Sequence, residues 1–516
     1  MIDTPVGLHI GLTILGLALI WRLARGPRVR HPPSPLSLPL VGNLFSIPSG
    51  HEHAVFAKLG EQLQSDMVYL NVLGHKVIIL NSAEDATELL EKRAALYSDR
   101  TQIPMVVDPA LMDWSQLITI VGYNDLWRHY RRIMNDWLSA RAVAQFHTIQ
   151  EHEARLLLRR LLNTTNHTEP FRYVKDAFFF TMASIMFQLA YGYKPKDSQD
   201  PFVEQAAMVV RNIASAAMQT NYLVNVFPAM VYIPDWFPGA GWKRTGREYG
   251  VRQHKAKTEP YNWLKAQVTS GTHQPSLLSP LLQDHKLLSG LNAIQRDERL
   301  KEVGFVVYAA GTDSSAHFFV ALVSALVMNP NIQAKAQEEL DTVLGQAVLP
   351  SILDRERLPY IRNLIDEVLR LYPIFPLAVP HVCFQEDTYR GYNIEKGTTI
   401  IGNVWAIGRD PRYYRSPEVF DPDRYLDSDV PRPPVFGWGR RKCPGVHFAE
   451  ASAFITTASL LAMFSFSKKK DSNGQEIVPQ VELERNSFLF ELKPFDFELK
   501  PRSDVHHQLI LEIIDD

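Results

Sequence analysis

The chain has 516 residues, of which 46% are hydrophobic and 21% charged, and its formal net charge is −2. This balance gives no argument for binding nucleic acid or an acidic partner, and the length is long for one domain. The two cysteines, Cys383 and Cys443, exclude a disulfide framework and fit a reducing compartment. The sequence has no Walker loop, HExxH or complete GxGxxG motif, so any redox reaction must draw its electrons from another protein.

An apolar stretch near the start, residues 6–21, predicts a membrane anchor. About 16 residues at about 1.5 Å each span roughly 24 Å as a helix, which is closer to the thinner endoplasmic reticulum bilayer than to an average membrane. A cleaved signal peptide is the alternative, but it would want a basic start, whereas here Asp3 comes first and the arginines follow the stretch. By the positive-inside rule these arginines place the rest of the chain in the cytosol. We expect an anchor over residues 1–24 and one large domain over residues 51–516.

Between them, residues 25–50 form a basic and proline-rich hinge in this interpretation. Its closely spaced prolines prevent a helix and favour a semi-rigid extended spacer. Beyond the hinge, the Val/Ile/Leu-rich residues 66–81 predict a β-hairpin. Residues 145–270 are mostly helical in pattern, and residues 389–401 predict a second hairpin.

Trp127 and Arg131 lie on a predicted helix that runs to about residue 140. Being four residues apart, their side chains share one face of the helix. An ordinary amphipathic helix shows the same pair about as often as not. The pair therefore indicates a functional site only in combination with other motifs of the sequence.

A long apolar helix is predicted over residues 302–328, ending at an Asn-Pro pair. The small residues in its middle, 309–315, would let a flat ligand approach closely, and Gly311 weakens the helix locally. A serine there can hydrogen-bond back to the helix and bend it. Asp313 and Ser314 supply an acid and an alcohol that could relay protons. The alternative is a helix kink that packs against a neighbour.

Glu367 and Arg370 lie three apart on a helix predicted over residues 359–371, so they meet on one face. An isolated pair of this kind is often solvated surface decoration, but apolar neighbours favour a buried pair. The segment that follows, residues 374–380, is apolar and extended. It ends at His381, which is either a site residue or a surface residue at the end of a strand.

The most informative stretch is the glycine-rich loop of residues 436–445, which contains Cys443. Arg440, Arg441 and Lys442 surround the thiol in sequence, and positive charge favours the thiolate. Pro444 suits the first position of a helix predicted over residues 446–464, and the helix dipole would favour the thiolate further. This combination suits a metal ligand. The alternative is a free structural cysteine in a glycine-rich turn.

The spacing Phe-x-x-Gly-x-Arg-x-Cys-x-Gly over residues 436–445 resembles the haem-binding signature of the cytochrome P450 family, the haem-thiolate monooxygenases. The resemblance implies a mainly α fold with small β-sheets (α+β), with a single large catalytic domain behind an N-terminal transmembrane helix. It also implies haem b, with Cys443 as the axial iron ligand. Such a thiolate pushes electron density onto the iron and favours O–O cleavage.

The same resemblance implies roles for the other motifs. Residues 309–315 match the family's helix pattern, except that Ser314 stands where threonine is usual, which keeps the hydroxyl but loses stiffness at χ1. Glu367, Arg370 and Arg424 would form a buried network that supports the cysteine loop. The implied site comprises Asp313 and Ser314 as catalytic residues, Cys443 as the metal ligand, and Trp127, Arg131, His381, Phe436, Arg441 and Gly445 as cofactor-binding residues.

These implications predict a monooxygenase that inserts one oxygen atom from O2 into a lipophilic small molecule, such as a terpenoid or polyketide secondary metabolite of a fungus. Electrons would come from an NADPH-dependent reductase that faces the basic residues 440–442. The enzyme would be anchored in the endoplasmic reticulum membrane as a single-pass protein with its catalytic domain on the cytosolic side, and would have no nucleic-acid partner.

Three segments, residues 103–112, 374–379 and 488–490, are expected to make the pocket apolar. Residues 227–241 resemble a membrane-dipping region of the family, although an exposed loop is equally plausible. Two other functions are considered. One is an isomerase or dehydratase that acts on a peroxide without a reductase, motivated by Ser314 but opposed by the retained Asp313. The other is a haem-binding sensor or carrier.

Overall fold

The computed structural model describes residues 30–165, 167, 169–218, 221–283, 286–484 and 488–513. The anchor expected over residues 1–24 lies outside the described residues, as do the first residues of the expected hinge. The protein is mainly helical, at 54% of residues, with small sheets, so the α+β class is confirmed.

Fifteen α-helical segments are present in the described part of the chain. They are α1 (Glu52–Leu63), α2 (Ala83–Ala86), α3 (Pro104–Val107), α4 (Asp125–Leu138), α5 (Ala140–Val143), α6 (His147–Leu162), α7 (Pro170–Tyr191), α8 (Pro201–Ala217), α9 (Gly241–Ser270), α10 (Ala293–Met328), α11 (Pro330–Leu344), α12 (Pro359–Leu371), α13 (Val404–Ile407), α14 (Val446–Met463) and α15 (Asp504–Leu511).

Eight strands form three small sheets among the described residues. They are β1 (Met67–Val72), β2 (His75–Leu80), β3 (His381–Val382), β4 (Asp387–Tyr389), β5 (Tyr392–Ile394), β6 (Thr399–Gly402), β7 (Phe464–Ser467) and β8 (Glu498–Pro501).

The largest sheet has the strand order β1-β2-β6-β3. Its β1–β2 pair is antiparallel, with Met67 opposite Leu80, which confirms the hairpin predicted over residues 66–81. The hairpin predicted over residues 389–401 is right only in part. Strands β4 and β5 do form an antiparallel pair, but β6 leaves them and runs parallel to β2. Long-range pairing of this kind leaves no local signal in the sequence.

Helix α10 runs through the centre of the protein and packs mainly against α7. It begins before the predicted residue 302 because Asn292 and Gln295 form a capping box, in which each side chain accepts a hydrogen bond from the other's backbone N–H. Helices α10 and α14 are apolar and long enough to cross a membrane. In each, 72% of the most apolar window is buried inside the protein, as in core helices, so they are weak grounds for a membrane span.

Candidate active site

A cavity of about 750 Å³ lies between the middle of α10 and the loop that contains Cys443. Ala310, Gly311 and Ser314 line it from the α10 side, whereas Phe436 and Cys443 line it from the loop side. Most of the remaining lining is aliphatic or aromatic. The cavity is therefore an apolar space with a thiol on one wall and a hydroxyl on another.

The loop that presents Cys443 is closed by a hydrogen bond from the Cys443 amide to the Phe436 carbonyl, at 2.9 Å. Gly439 has a φ of +54°, and a Cβ at this position would lie 2.4 Å from a backbone oxygen of the neighbouring segment. Only glycine fits there without displacing backbone. The sequence favours Pro444 as the first helical residue. In the structure α14 begins two residues later, at Val446, with Gly445 as its N-cap. Since the Cys443 amide closes the loop, the helical turns start beyond the proline.

The electrostatic surroundings of the thiol differ from the prediction. Cys443 is exposed to the cavity, but desolvation by the surrounding protein still raises the pKa of its thiol, and the opposing effects of the Gly445 backbone and Arg131 are smaller. The neighbouring arginines point elsewhere: Arg440 donates to the Tyr123 hydroxyl, and Arg441 to backbone carbonyls. The expectation that the protein alone stabilises a thiolate is therefore wrong. A bound metal ion would supply the missing charge, since thiolate ligation is coupled to loss of the proton.

Arg100, Arg131 and Arg441 all line the cavity. None of these guanidinium groups forms an ion pair with a carboxylate in the part of the chain that the structure describes. Burial lowers the pKa of each, to about 10 for Arg441 and well below the usual range for Arg100, and the closeness of Arg441 lowers that of Arg100 further. The site thus holds more buried positive charge than its own carboxylates balance.

Arg100 is missing from the predicted site. Its Nη1 donates to the Val379 and Pro380 carbonyls at 2.8 and 2.6 Å, and its Nε has no hydrogen-bond partner among the described residues. The signal that could have found it is that Arg100 is the one basic residue in the irregular segment of residues 97–119. A charged residue in such a segment needs a partner or a ligand.

Trp127 and Arg131 both line the cavity, as the shared helix face requires. The guanidinium of Arg441 lies 4.6 Å from the centre of the Trp127 ring, and that of Arg131 lies 5.7 Å from it. His381 is buried rather than a surface residue, and it also lines the cavity. Its Nδ1 donates to the Tyr97 carbonyl at 2.6 Å, while burial lowers the pKa of the imidazole well below its usual range. His381 is therefore neutral.

The structure places Asp313 and Ser314 on different sides of α10. The Ser314 hydroxyl lines the cavity and donates to the Ala310 carbonyl at 2.6 Å, as the predicted return hydrogen bond requires. Asp313 does not line the cavity. It lies near His317 and Glu491, and burial raises the pKa of its carboxyl. The expected acid–alcohol pair is therefore not assembled at one wall, because consecutive helical residues point about 100° apart.

Gly311 has a packing role besides lining the cavity. A Cβ at this position would lie 2.2 Å from the Met186 sulfur on α7. A side chain at this position would therefore displace the Met186 side chain, which lines the same cavity. The sequence left open whether this part of α10 packs against a neighbouring helix or borders a ligand site. Gly311 does both.

Glu367, Arg370 and Arg424 form a buried network. Arg370 donates to both Glu367 carboxylate oxygens, at 2.7 and 2.8 Å, and Arg424 Nε lies 3.0 and 3.1 Å from the same oxygens. Both guanidinium groups also donate to backbone carbonyls between residues 408 and 419, in the segment that leads to the Cys443 loop. The alternative of solvated surface decoration is therefore wrong for Glu367.

Only one of the three segments expected to line the cavity does so. Residues 374–379 contribute to the lining, but residues 103–112 and 488–490 do not. Phe488 packs edge-on against Phe375 at 5.3 Å, so it lies one layer behind the wall. Ile118 and Thr119 also line the cavity, and they end the irregular segment of residues 97–119, which the sequence favours as a substrate-facing loop. Lining that the sequence did not reveal includes Met186, Leu189, Val306, Val307, Phe318 and Phe319.

Comparison with known proteins decides the family. The Cytochrome P450 family model matches residues 32–497, which is most of the chain. The chain belongs to the cytochrome P450 family.

Named relatives of this cytochrome P450 come from fungi. Cytochrome P450 monooxygenase 98 of Postia placenta is 36% identical over 495 residues, which cover 94% of this chain and 93% of the relative. Cytochrome P450 monooxygenase COX1 of Coprinopsis cinerea is 34% identical, with 93% of each chain covered. Cytochrome P450 monooxygenase claR of Ampulloclitocybe clavipes is 32% identical, with 100% of this chain and 95% of the relative covered. This protein is a cytochrome P450 monooxygenase, so the sensor and peroxide-isomerase alternatives are not supported.

The family implies a haem cofactor, and the cavity fits one. Small residues on α10 line one wall and the Cys443 loop, with Phe436, lines the other, which leaves room for a planar group between them. The surplus of buried guanidinium charge matches the carboxylates that haem b would bring. Cys443 is the one thiol that lines this cavity, and thiolate is a known haem-iron ligand.

Proposed function

We propose that this cytochrome P450 binds haem b through Cys443 and inserts one oxygen atom from O2 into a lipophilic small molecule, such as a terpenoid or polyketide secondary metabolite. The observation that carries the proposal is one apolar cavity bounded by a thiol, a hydroxyl and three buried guanidinium groups without carboxylate partners. When bound, haem would supply the iron chemistry that activates O2. The remaining functions belong to residues of this chain.

Arg100, Arg131 and Arg441 would neutralise the haem carboxylates, since buried cations seek charged partners. Because neutral His381 already donates its Nδ1 proton to the Tyr97 carbonyl, its Nε2 can only accept a hydrogen bond there. The guanidinium groups of Arg131 and Arg441 lie over the Trp127 ring. Phe436 and Gly445 line the cavity near Cys443 and would contact the bound cofactor.

Ser314 would hold a proton at the cavity wall. Its hydroxyl now donates to the Ala310 carbonyl, and rotation about χ1 would turn it toward the cavity. Asp313 would replenish that proton from the other side of α10, where burial raises the pKa of its carboxyl and favours the protonated form. Because the two groups point apart, we expect water to connect them.

Electrons would come from an NADPH-dependent reductase. In the expected domain division, residues 51–516 form the catalytic domain. Within the Cys443 loop, Arg440 and Lys442 are exposed and would present positive charge to the reductase, whereas Arg441 faces the cavity. Complementary charge steers such partners together and loses its effect at high salt.

A membrane position is supported by exposed apolar side chains on two segments that meet the β1–β2 turn. Gly42 bridges to Val72 at this turn, and His75 contacts the Val226 carbonyl at 3.0 Å. The first segment exposes Leu40 and Phe45, while the second, within residues 223–237, exposes Tyr232, Trp236 and Phe237. Such a patch on a soluble surface marks a contact with protein or membrane. We propose that it dips into the endoplasmic reticulum membrane on the cytosolic side, beside an anchor over residues 1–24 and a hinge over residues 25–50.

The first test is the carbon monoxide difference spectrum of the purified, reduced protein. We expect the strongly red-shifted Soret band of thiolate ligation, and its loss in Cys443→Ala. A Soret band at the position typical of histidine ligation, or none in the wild type, would contradict the proposed site. Comparing metabolites of the intact and gene-disrupted host would then identify the substrate, and dependence of turnover on NADPH and reductase would test the electron source.

A further inference from the structure

A buried polar cluster lies outside the cavity and joins three distant parts of the chain. It consists of Trp114, in the segment between α3 and α4, Lys257 on α9 and Glu302 on α10. All three side chains are buried, with residue exposures of 1%, 4% and 2%. The Trp114 indole N–H lies 2.9 and 2.8 Å from the two Glu302 carboxylate oxygens, and Lys257 forms an ion pair with the same carboxylate. None of these residues lines the cavity.

The cluster fixes one arrangement of its three segments. Lys257 Nζ also lies 5.1 Å from the centre of the Trp114 ring, so the cation contacts both the carboxylate and the aromatic face. Phe305, one turn along α10, packs edge-on against the same ring at 5.1 Å. A buried charge pair is costly unless its geometry is good, and here each displacement of Trp114 would leave the carboxylate short of a donor.

Further contacts hold the same segment against α9. A Cβ on Gly250 would lie 3.0 Å from the Leu111 carbonyl oxygen, so a side chain here would push this backbone away from α9 by a few tenths of an ångström. Gln253 Nε2 donates to the Met112 carbonyl at 3.3 Å, and the Met105 amide donates to Asn225 Oδ1 at 3.0 Å. The segment is irregular, yet its backbone is fixed from outside over residues 105–114.

The inner end of the segment reaches the cavity. The Trp114 amide donates to the Val106 carbonyl at 2.9 Å, which folds the segment back on itself. A few residues later, Ile118 and Thr119 line the cavity wall. Any motion of Trp114 away from Glu302 would therefore loosen this wall.

We propose that Glu302, held by Lys257, is a positioning residue that acts through Trp114 to latch residues 103–119 against α9 and α10, so that Ile118 and Thr119 stay in the cavity wall. The latch sets how fast small molecules reach the cavity. The inference rests on the proposed function only for the carbon monoxide experiment below, since the hydrogen-exchange experiment does not need haem. Glu302 and Lys257 would thus influence access to the cavity although neither residue lines it.

The first experiment measures carbon monoxide recombination after flash photolysis of the reduced full-length protein. Trp114→Phe keeps an aromatic ring but removes the donor to Glu302. We expect about tenfold faster recombination from solvent, because a lost hydrogen bond to a charged group favours the open state by about that factor. The Soret position and haem content should stay unchanged. Wild-type kinetics in Trp114→Phe would overturn the latch.

The matched control is Trp263→Phe. Trp263 lies on α9 as Lys257 does, but its ring packs edge-on against Tyr193 at 4.9 Å. We expect wild-type recombination in this variant. Equal acceleration in both variants would mean that any lost indole on this side loosens the protein, and would overturn the specific role of Glu302.

Hydrogen exchange of the wild type gives a second readout, which does not require haem or a folded variant. We expect the amides of Leu111 and Trp114 to exchange as slowly as those in the centre of α9, although they lie in an irregular segment. Fast exchange, typical of a free loop, would overturn the latch. Loss of the haem signal in the wild type would contradict the proposed function and leave this exchange test intact.

Discussion

Two buried carboxylates, Glu367 and Glu302, organise different regions of this cytochrome P450. Glu367 pairs with Arg370, three residues along the same helix, and with Arg424. Glu302 pairs with Lys257 and with the indole of Trp114, both from distant segments. The first network therefore has a local motif that the sequence displays, whereas the second has none.

The difference in cation chemistry matters as much as the difference in sequence distance. A guanidinium group has five N–H donors, so Arg370 can pair with Glu367 and still donate to three backbone carbonyls. The Lys257 ammonium is a compact charge that pairs with the Glu302 carboxylate and lies over the Trp114 ring, and it holds no backbone carbonyl of a neighbouring segment among the described hydrogen bonds. The Glu367 network thus secures a long stretch of backbone before the Cys443 loop, while the Glu302 cluster secures one side chain of a loop. Similar buried ion pairs can therefore have different roles. The Glu367 network stabilises a fixed part of the fold, whereas the Glu302 cluster holds a loop that can move away.

The largest effect is expected from Glu367→Ala. The variant leaves two buried guanidinium groups without their carboxylate and should lose roughly 3–5 kcal/mol of unfolding free energy. Because the same groups hold residues 408–419, we expect haem-free protein. Chemical denaturation and haem stoichiometry measure both effects. Normal haem loading together with an unchanged denaturation midpoint would contradict the scaffold role.

Glu302→Ala should destabilise less, by about 3 kcal/mol, because only one buried cation loses its partner. The double variant Glu302→Leu/Lys257→Met removes both charges and should recover most of that loss, since apolar side chains of similar volume can replace a buried pair. Denaturation of the two variants side by side measures this. No recovery in the double variant would mean that the pair itself, rather than a stranded charge, supplies the stability.

The third-largest effect is expected from Arg100, a buried cation without a carboxylate partner among the described residues. Arg100→Leu removes one such guanidinium from the cavity, and we expect about tenfold faster loss of haem to an acceptor protein, the value of one charged hydrogen bond. Arg440→Leu is the control, because its guanidinium contacts the Tyr123 hydroxyl and does not line the cavity. Equal retention of haem in wild type and Arg100→Leu would separate Arg100 from the cofactor site.

The smallest effect concerns Asp366, which precedes Glu367 on α12. Burial raises the pKa of its carboxyl to about 6, and Arg432, 2.9 Å away, opposes the shift only in part. A raised acid pKa means that the folded state holds its proton longer, so this group makes stability fall as pH rises from about 4 to about 6. Asp366→Asn should flatten the pH dependence of unfolding in that window. An unchanged slope would show that Asp366 titrates normally.

Local patterns were sufficient for much of the fold. The hairpin of β1 and β2, helix α12 and the turn around Cys443 each depend on neighbours within a few residues, so alternation, helical periodicity and glycine spacing reveal them. The same holds for Glu367 and Arg370, whose spacing on one helix already brings them together. Pairs that come from distant segments are not visible in this way, as the parallel pairing of β6 with β2 shows.

Packing between segments decided the chemistry of the site. The positive charge that most affects the Cys443 thiol comes from Arg131 on α4 and not from the arginines beside it in sequence, because those side chains point to other partners. Arg100 lines the cavity for the same reason, because its segment packs beside the Cys443 loop. The direction of Asp313, in contrast, follows from local helix geometry, which separates it from Ser314 by about 100°. Periodicity along one helix indicates which residues share a face, but long-range packing decides which neighbour each face contacts. That packing also decides the burial and the nearby charges that set the pKa of each group.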